Sequence, residues 1–196
     1  MGRPKKYDRE DLLNRAVTVF RKQGYNGAST ADLVDALGVN RKSMYAEFGS
    51  KQGLFEASLG HYAKHHLTRT LAQLEADDAA AEAIVASFTN YGRSAEESFR
   101  GLGCLLCNTA VERGALDPGS AKHVQAYLER LTKAFRAALQ NAEDGGEIAA
   151  GQDLDELAAF FTMGLIGVAA LVRAEAPASE VQAACRVVTR LLDVSG

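Results

Sequence analysis

The chain has 196 residues, 47% hydrophobic and 24% charged, with no Trp, three Pro and a formal net charge of −3. That length supports one or two domains with cores of their own, and the abundance of Ala, Leu and Val with little Pro favours helix over sheet. No apolar run reaches the ~18 residues of a bilayer span, MGRPKK lacks the apolar core of a secretory signal, and three Cys make no disulfide framework, so a reduced, cytoplasmic protein that avoids membranes is expected.

The charge is divided unevenly. Residues 1–51 carry ten Lys and Arg against six Asp and Glu, a balance of +4, and residues 52–196 carry twelve against nineteen, a balance of −7. A basic head on an acidic body implies that only the head meets a polyanion.

In chain order, residues 1–7 read as a basic arm. A first helix is predicted from about Asp8 to Gly24, with Leu12, Leu13, Ala16, Val17, Val19 and Phe20 at helical spacing and Asp8, Glu10 and Asp11 at its start. Ser29-Thr30 open a second helix that runs to Leu37; Gly38-Val39 turn the chain; Asn40 caps a third, Arg41 to Phe48. A fourth opens at Ser50-Lys51 and extends to about Leu74. Further helices are predicted at about Ala79–Ser94, Leu102–Arg113, Gly119–Ala142, Leu154–Arg173 and Ala178–Val194, separated by breakers such as Asp117-Pro118-Gly119, Asp144-Gly145-Gly146 and Ala176-Pro177. The expected fold is all-α, about nine helices, with a three-helix domain at 1–50 and a helical body at 51–196.

The segment from Gly24 to Leu54 is the most specific part of the chain. Gly38 tolerates the positive φ of a tight turn between two steeply crossing helices. Leu33, Leu37, Val39, Met44 and Phe48 can join Leu13, Val17 and Phe20 in one small core. Arg41, Lys42, Ser43 and Tyr45 stand at the start of the third helix, where side chains reach base edges and phosphates. A plain helical hairpin has the same apolar pattern; the polar face distinguishes the two.

Gly24-Tyr25, Thr30, Leu33, Leu37-Gly38-Val39, Tyr45, Phe48, Ser50-Lys51 and Leu54 together resemble the N-terminal domain of the TetR family of bacterial transcriptional regulators. Val34-Asp35 and Ala46 depart from the commoner residues at those positions, which bears on the operator sequence rather than the fold. The resemblance implies that Thr30, Tyr45 and Lys51 hold DNA phosphates and that Arg41, Lys42 and Ser43 read bases. Arg3 and Lys5 of the arm, in Gly2-Arg3-Pro4-Lys5-Lys6, are candidates for minor-groove or phosphate contact. It also implies a homodimer on a double-stranded, pseudo-palindromic operator, released by a small-molecule effector, with no enzymatic activity and no cofactor.

In the body, residues 154–173 are nearly apolar all round, and residues 178–194 carry Val181, Ala184, Cys185, Val188, Leu191 and Leu192 on one broad face; these two helices are the expected dimer surface. Candidates to line an effector cavity are Phe88, Tyr91, Phe99, Cys104, Cys107, Asn108, Phe160 and Met163, with core packing the competing role for each. His61 and His65 form an i, i+4 pair without a third ligand in view, so no metal site is expected. Cys104 and Cys107 share one face of a helix start, where a thiolate is favoured. That spacing suits an oxidant- or electrophile-sensing thiol, or two small residues filling a core. A thiol oxidoreductase would need a strand scaffold that the sequence does not offer, and a constitutive DNA-binding protein without an effector is the remaining alternative.

Overall fold

The computed structural model describes residues 7–94, 101–112 and 117–192. Arg3, Lys5 and Phe99 lie outside the described residues. Among those described, every regular element is helical: α1 (Arg9–Gly27), α2 (Thr30–Leu37), α3 (Arg41–Phe48), α4 (Lys51–Tyr62, continuing through a π-helical turn Ala63–Leu67 and a last turn Thr68–Leu71), α5 (Ala81–Ser94), α6 (Leu105–Glu112), α7 (Pro118–Asp144), α8 (Leu154–Arg173) and α9 (Ala178–Leu192).

The predicted caps form. Asp8 accepts from the Glu10 amide, Ser29 and Asp32 make a reciprocal capping box, Asn40 accepts from Ser43 and Ser50 from Gly53. In the body, Asp117 accepts from Ser120 ahead of Pro118, and Asp153 accepts from both Asp155 and Glu156. Gly38 ends α2 in the left-handed region at φ +66°. Gly24 also has positive φ, +72°, and breaks the regular helix where the sequence suggested a stop; one more turn, Tyr25–Gly27, follows the break. The fourth helix differs from expectation at its far end. It widens into the π turn, closes at Leu71, and reaches the buried Leu74 only through turns.

Phe20 is fully buried, its ring edge-on to Phe55 of α4 at 4.9 Å and stacked near Tyr25 at 6.5 Å. It ties the head to α4. Leu12, Leu13, Ala16, Leu33, Leu37, Met44 and Leu54 complete this core, whereas Val17 and Val39 stay half-buried at its edge. In the body, α7 and α8 pack along their lengths, and α5 fits between α8 and α9. The rings of Phe88, Phe135 and Phe161 meet there at 5.9 to 6.1 Å.

One correction concerns α8. By length and composition it is apolar enough to cross a membrane, with mean hydropathy 1.7 over its best window, although the sequence had seemed to offer no such run. Leu154, Ala158, Phe161, Leu165, Val168, Ala169 and Val172 face the protein core. Phe160, Met163 and Leu171 face outward, so the apolar surplus lies on the opposite side of a packed helix.

Deleting the Phe20 ring removes the aromatic contact between α1 and α4 and leaves a cavity. Phe20→Ala is expected to cost about 3–5 kcal/mol, read from the shift in denaturant midpoint at unchanged slope.

Candidate nucleic-acid interface and effector cavity

The head presents a polar surface at the start of α3. Arg41 and Lys42 are exposed and Ser43 half-buried. The Tyr45 hydroxyl lies 3.4 Å from Thr30 Oγ1, and the Arg41 guanidinium lies 5.4 Å from the Tyr45 ring centre. Hydrogen bonding to Thr30, then to Arg41, holds the pKa of the Tyr45 phenol below its ordinary value, with the charge of Lys51 adding to it. Lys51, in the first turn of α4, rests its ammonium 4.5 Å from the ring centre of Tyr25. Thr30, Arg41, Tyr45 and Lys51 thus come from three helices onto one positively charged face, with Lys42 and Ser43 beside them.

On the far side of the head, α1 enters the body. The Arg21 guanidinium donates from Nε (3.0 Å) and Nη2 (2.7 Å) to the carbonyl of Gly103, the residue before Cys104. Glu112, at the other end of α6, accepts from the backbone amides of Tyr25 (3.3 Å) and Asn26 (3.1 Å) in the last turn of α1. Arg173 at the end of α8 donates to the carbonyls of Gly101 (2.7 Å) and Lys22 (3.0 Å). Gly103, at φ +59°, has no space for a Cβ, which would press on Asn108 and on the Arg173 stem. Helix α6 is therefore held to α1 at both ends.

A cavity of about 230 Å³ opens beside this junction, lined by Arg21, Tyr62, His66, Arg69, Thr70, Asn90, Tyr91, Gly103, Cys104 and Val172. Cys104 and Val172 are buried in its wall, and Arg69, Thr70 and Asn90 are exposed at its mouth. Cys104 caps α6: the Asn108 amide donates to its carbonyl at 2.8 Å. A hydrogen bond from the Cys107 thiol, the amides of Cys107 and Leu106 and the Tyr62 hydroxyl outweigh burial and lower the Cys104 thiol to about 6. The Cys107 thiol moves the opposite way, because it serves Cys104 as donor and is itself buried; its sulfur lies 3.6 Å from the Tyr127 hydroxyl. Burial, reinforced by the Cys104 charge, keeps Tyr62, Tyr91 and Tyr127 protonated.

Of the residues expected to line an effector cavity, the structure brings Tyr91 and Cys104 into this one. Cys107 stands behind Cys104. Asn108 is buried and donates to the Leu102 carbonyl at 2.8 Å, so its amide fastens the loop before α6. Phe88 belongs to the aromatic core with Phe135 and Phe161. Phe160 and Met163, 44% and 64% exposed, lie on the outer face of α8; Phe160 borders a separate groove between α8 and α9. Sequence reasoning missed Arg21, Tyr62, His66, Arg69 and Glu112. Tyr62, His66 and Arg69 follow an i, i+4, i+7 pattern on α4 that marks one face, but nothing in the sequence says which cavity that face meets.

The three cysteines are free thiols, and all are buried. His61 bonds Asn14 Oδ1 through Nε2 at 2.8 Å and stacks on His65; among the described residues no three His, Cys, Asp or Glu side chains converge to hold a metal ion.

A capped helix-turn-helix with a basic face, joined by its first and fourth helices to an all-helical body with a cavity, defines a DNA-binding transcriptional regulator. Residues 12–58 match the family model of bacterial regulatory proteins, tetR family, and residues 79–188 match that of the tetracyclin repressor-like C-terminal domain. The chain belongs to the TetR family and is a helix-turn-helix transcriptional repressor. It is 34% identical over 155 residues to the uncharacterized regulator YezE of Bacillus subtilis, covering 79% of each protein. It is 31% identical over 179 residues to the repressor ComR of Escherichia coli, covering 88% of this chain and 82% of ComR. Among solved structures, a cysteine-substituted form of the TetR-family regulator CifR, complexed with 26-base-pair operator DNA, superposes with a TM-score of 0.80 at 29% identity, covering 99% of this chain and all of that one.

The thiol environment has a direct test. The alkylation rate of Cys104, followed residue by residue by mass spectrometry, is expected to rise with pH through a midpoint at about 6. Cys107→Ala removes the principal donor and moves that midpoint upward; an unmoved midpoint would show that Cys107 is not the cause.

Proposed function

We propose that the repressor acts as a homodimer on a pseudo-palindromic operator, with residues 1–50 as the reading head and residues 51–196 as the effector-binding and dimerisation body. A small-molecule effector in the cavity beside Cys104 releases it from DNA in the cytoplasm. The observation that carries this reading is the double hydrogen bond from Arg21 to the Gly103 carbonyl. Arg21 belongs to the first helix of the head and also lines the cavity. A ligand that moves the Gly101–Cys104 loop therefore pulls on α1, and through Phe20 on α4. Allosteric coupling of this type is typically worth about 1–3 kcal/mol.

On the DNA side, Thr30, Tyr45 and Lys51 take phosphates and Arg41, Lys42 and Ser43 take base edges, with Arg3 and Lys5 of the arm adding phosphate or minor-groove contacts. Dimerisation uses α8 and α9. Phe160, Met163, Leu171, Val187 and Leu191 are large, apolar and exposed on these two helices, more apolar surface than single scattered residues present. Two heads must stand about 34–36 Å apart to read successive major grooves, and a shared helical interface supplies that spacing.

A second reading concerns the trigger. A thiol lowered to about 6 on the wall of the same cavity makes Cys104 the group that an electrophile or oxidant meets, with Cys107 as the resolving thiol. Release then follows covalent change at Cys104 instead of reversible binding.

Fluorescence anisotropy on the DNA upstream of the chain's own gene tests these readings together. Lys51→Ala is expected to weaken binding at every sequence and to reduce the salt slope by about one per protomer. Arg21→Ala is expected to leave operator affinity near that of the parent chain while weakening the response to effector; a full response in this variant would break the proposed link. Release by peroxide or a quinone that persists in Cys104→Ser would remove the thiol trigger. No operator binding at low salt would overturn the DNA reading.

A further inference from the structure

The cavity beside Cys104 has a chemical character that its position in an acidic body conceals. Its titratable lining outside the thiol and phenols consists of Arg21, His66 and Arg69, and no carboxylate lines it among the described residues. Arg69 Nη2 lies 3.1 Å from His66 Nδ1, so the imidazole turns a lone pair toward a guanidinium at the mouth. Among the described residues Arg69 has no acidic partner, whereas Arg130 of α7 is bound to Glu75. Burial, then the charges of Arg21 and Arg69, lower the basicity of His66, a sign that cationic charge is concentrated at this wall. Thr70 and Asn90 add neutral polar groups at the rim, and Val172 gives an apolar patch within.

We propose that this cavity is a site for small organic anions, a carboxylate above all, held at its mouth by Arg69 with the neighbouring His66 and delivered with its carbon skeleton toward Cys104. The inference rests on the reading of this cavity as the effector site and names the class of molecule it takes. A volume of about 230 Å³ falls below the ~300–1,000 Å³ of most ligand pockets, so the anion is small. A guanidinium matches a carboxylate with two parallel donors, which a neutral ligand of the same shape cannot use. Arg21 is committed to the Gly103 carbonyl. Its charge contributes to the field while Arg69 makes the contact.

Two alkylating reagents of nearly equal size separate charge selection from thiol reactivity. Iodoacetate is an anion and iodoacetamide is neutral. Each reacts in the same way: the Cys104 thiolate forms a sulfur–carbon bond, the carbon–iodine bond breaks and iodide leaves. The ratio of the two rates cancels any change in thiolate fraction. At Cys104 of the full chain, the iodoacetate-to-iodoacetamide ratio is expected to exceed that of a free small thiol at the same pH. Arg69→Gln is expected to lower the iodoacetate rate about tenfold, the scale of one partly screened charge contact, with the iodoacetamide rate unchanged. Arg69→Lys keeps the charge and is expected to retain most of the preference. A ratio no higher than that of the free thiol, or a ratio indifferent to Arg69→Gln, overturns the proposal. Operator affinity of the carboxymethylated protein is measured separately. Undiminished operator binding with the rate preference intact refutes the effector reading and leaves the anion selectivity standing.

Discussion

An arginine on the first helix donates two hydrogen bonds to a backbone carbonyl in the body. The Arg21–Gly103 pair spans 82 positions of sequence, and the contacts around the Gly101–Gly103 loop keep it in place. Gly103 adopts a positive φ without a Cβ to obstruct it. Arg173 fastens Gly101 from the other side, and Asn108 fastens Leu102. Helix α6 then runs from that loop to Glu112, whose carboxylate caps the amides of Tyr25 and Asn26. One short helix is thus bound to α1 at both of its ends, by a cation at the start and an anion at the finish. A displacement at either end must be shared by the other, because α6 is stiff over its eight residues and packed interiors transmit strain instead of absorbing it.

The same junction explains why a thiol belongs here. Cys104 is both the cap of α6 and the residue after the carbonyl that Arg21 holds. Its thiol pKa is lowered first by the Cys107 side chain, then by the amides of Cys107 and Leu106 that the helix start supplies anyway, and by the Tyr62 hydroxyl. Any bond formed at that sulfur, or any ligand pressed against it, withdraws or redirects those donors. The cap loosens, and the first element to feel it is the Gly101–Gly103 loop. In the proposed switch, sensing and transmission therefore use the same few atoms.

Much of the fold was legible in the sequence because it is written in local chemistry. Ser29, Asn40 and Ser50 cap helices through amides three residues downstream, and Gly38 turns the chain where only Gly turns it cheaply. The polar face of α3 was legible for the same reason: Arg41, Lys42, Ser43 and Tyr45 lie within one turn and a half. The cavity was not. Its walls come from α1, α4, α5, α8 and the loop before α6, and no local pattern states which faces of five segments will meet. Phe88, Phe160 and Met163 have the composition of lining residues, yet one went to the aromatic core and two to the outer surface. Aromatic and thioether side chains serve cores, cavities and interfaces alike, so composition alone cannot assign them.

Net charge misleads about the cavity for a related reason. The body beyond residue 51 carries seven more acidic than basic residues, and a ligand chosen on that sum would be cationic. Exposed charges farther apart than the ~8–10 Å Debye length hardly influence one another in salt. What a ligand in the cavity meets is the nearest shell, and here that shell includes Arg21, His66 and Arg69. The acidic excess belongs to the body as a whole, and in the proposed function it favours approach to the phosphates by the head. The two fields are compatible because they operate over different ranges. An acidic excess over the body as a whole is thus compatible with the proposed small-anion site at one cationic cavity mouth.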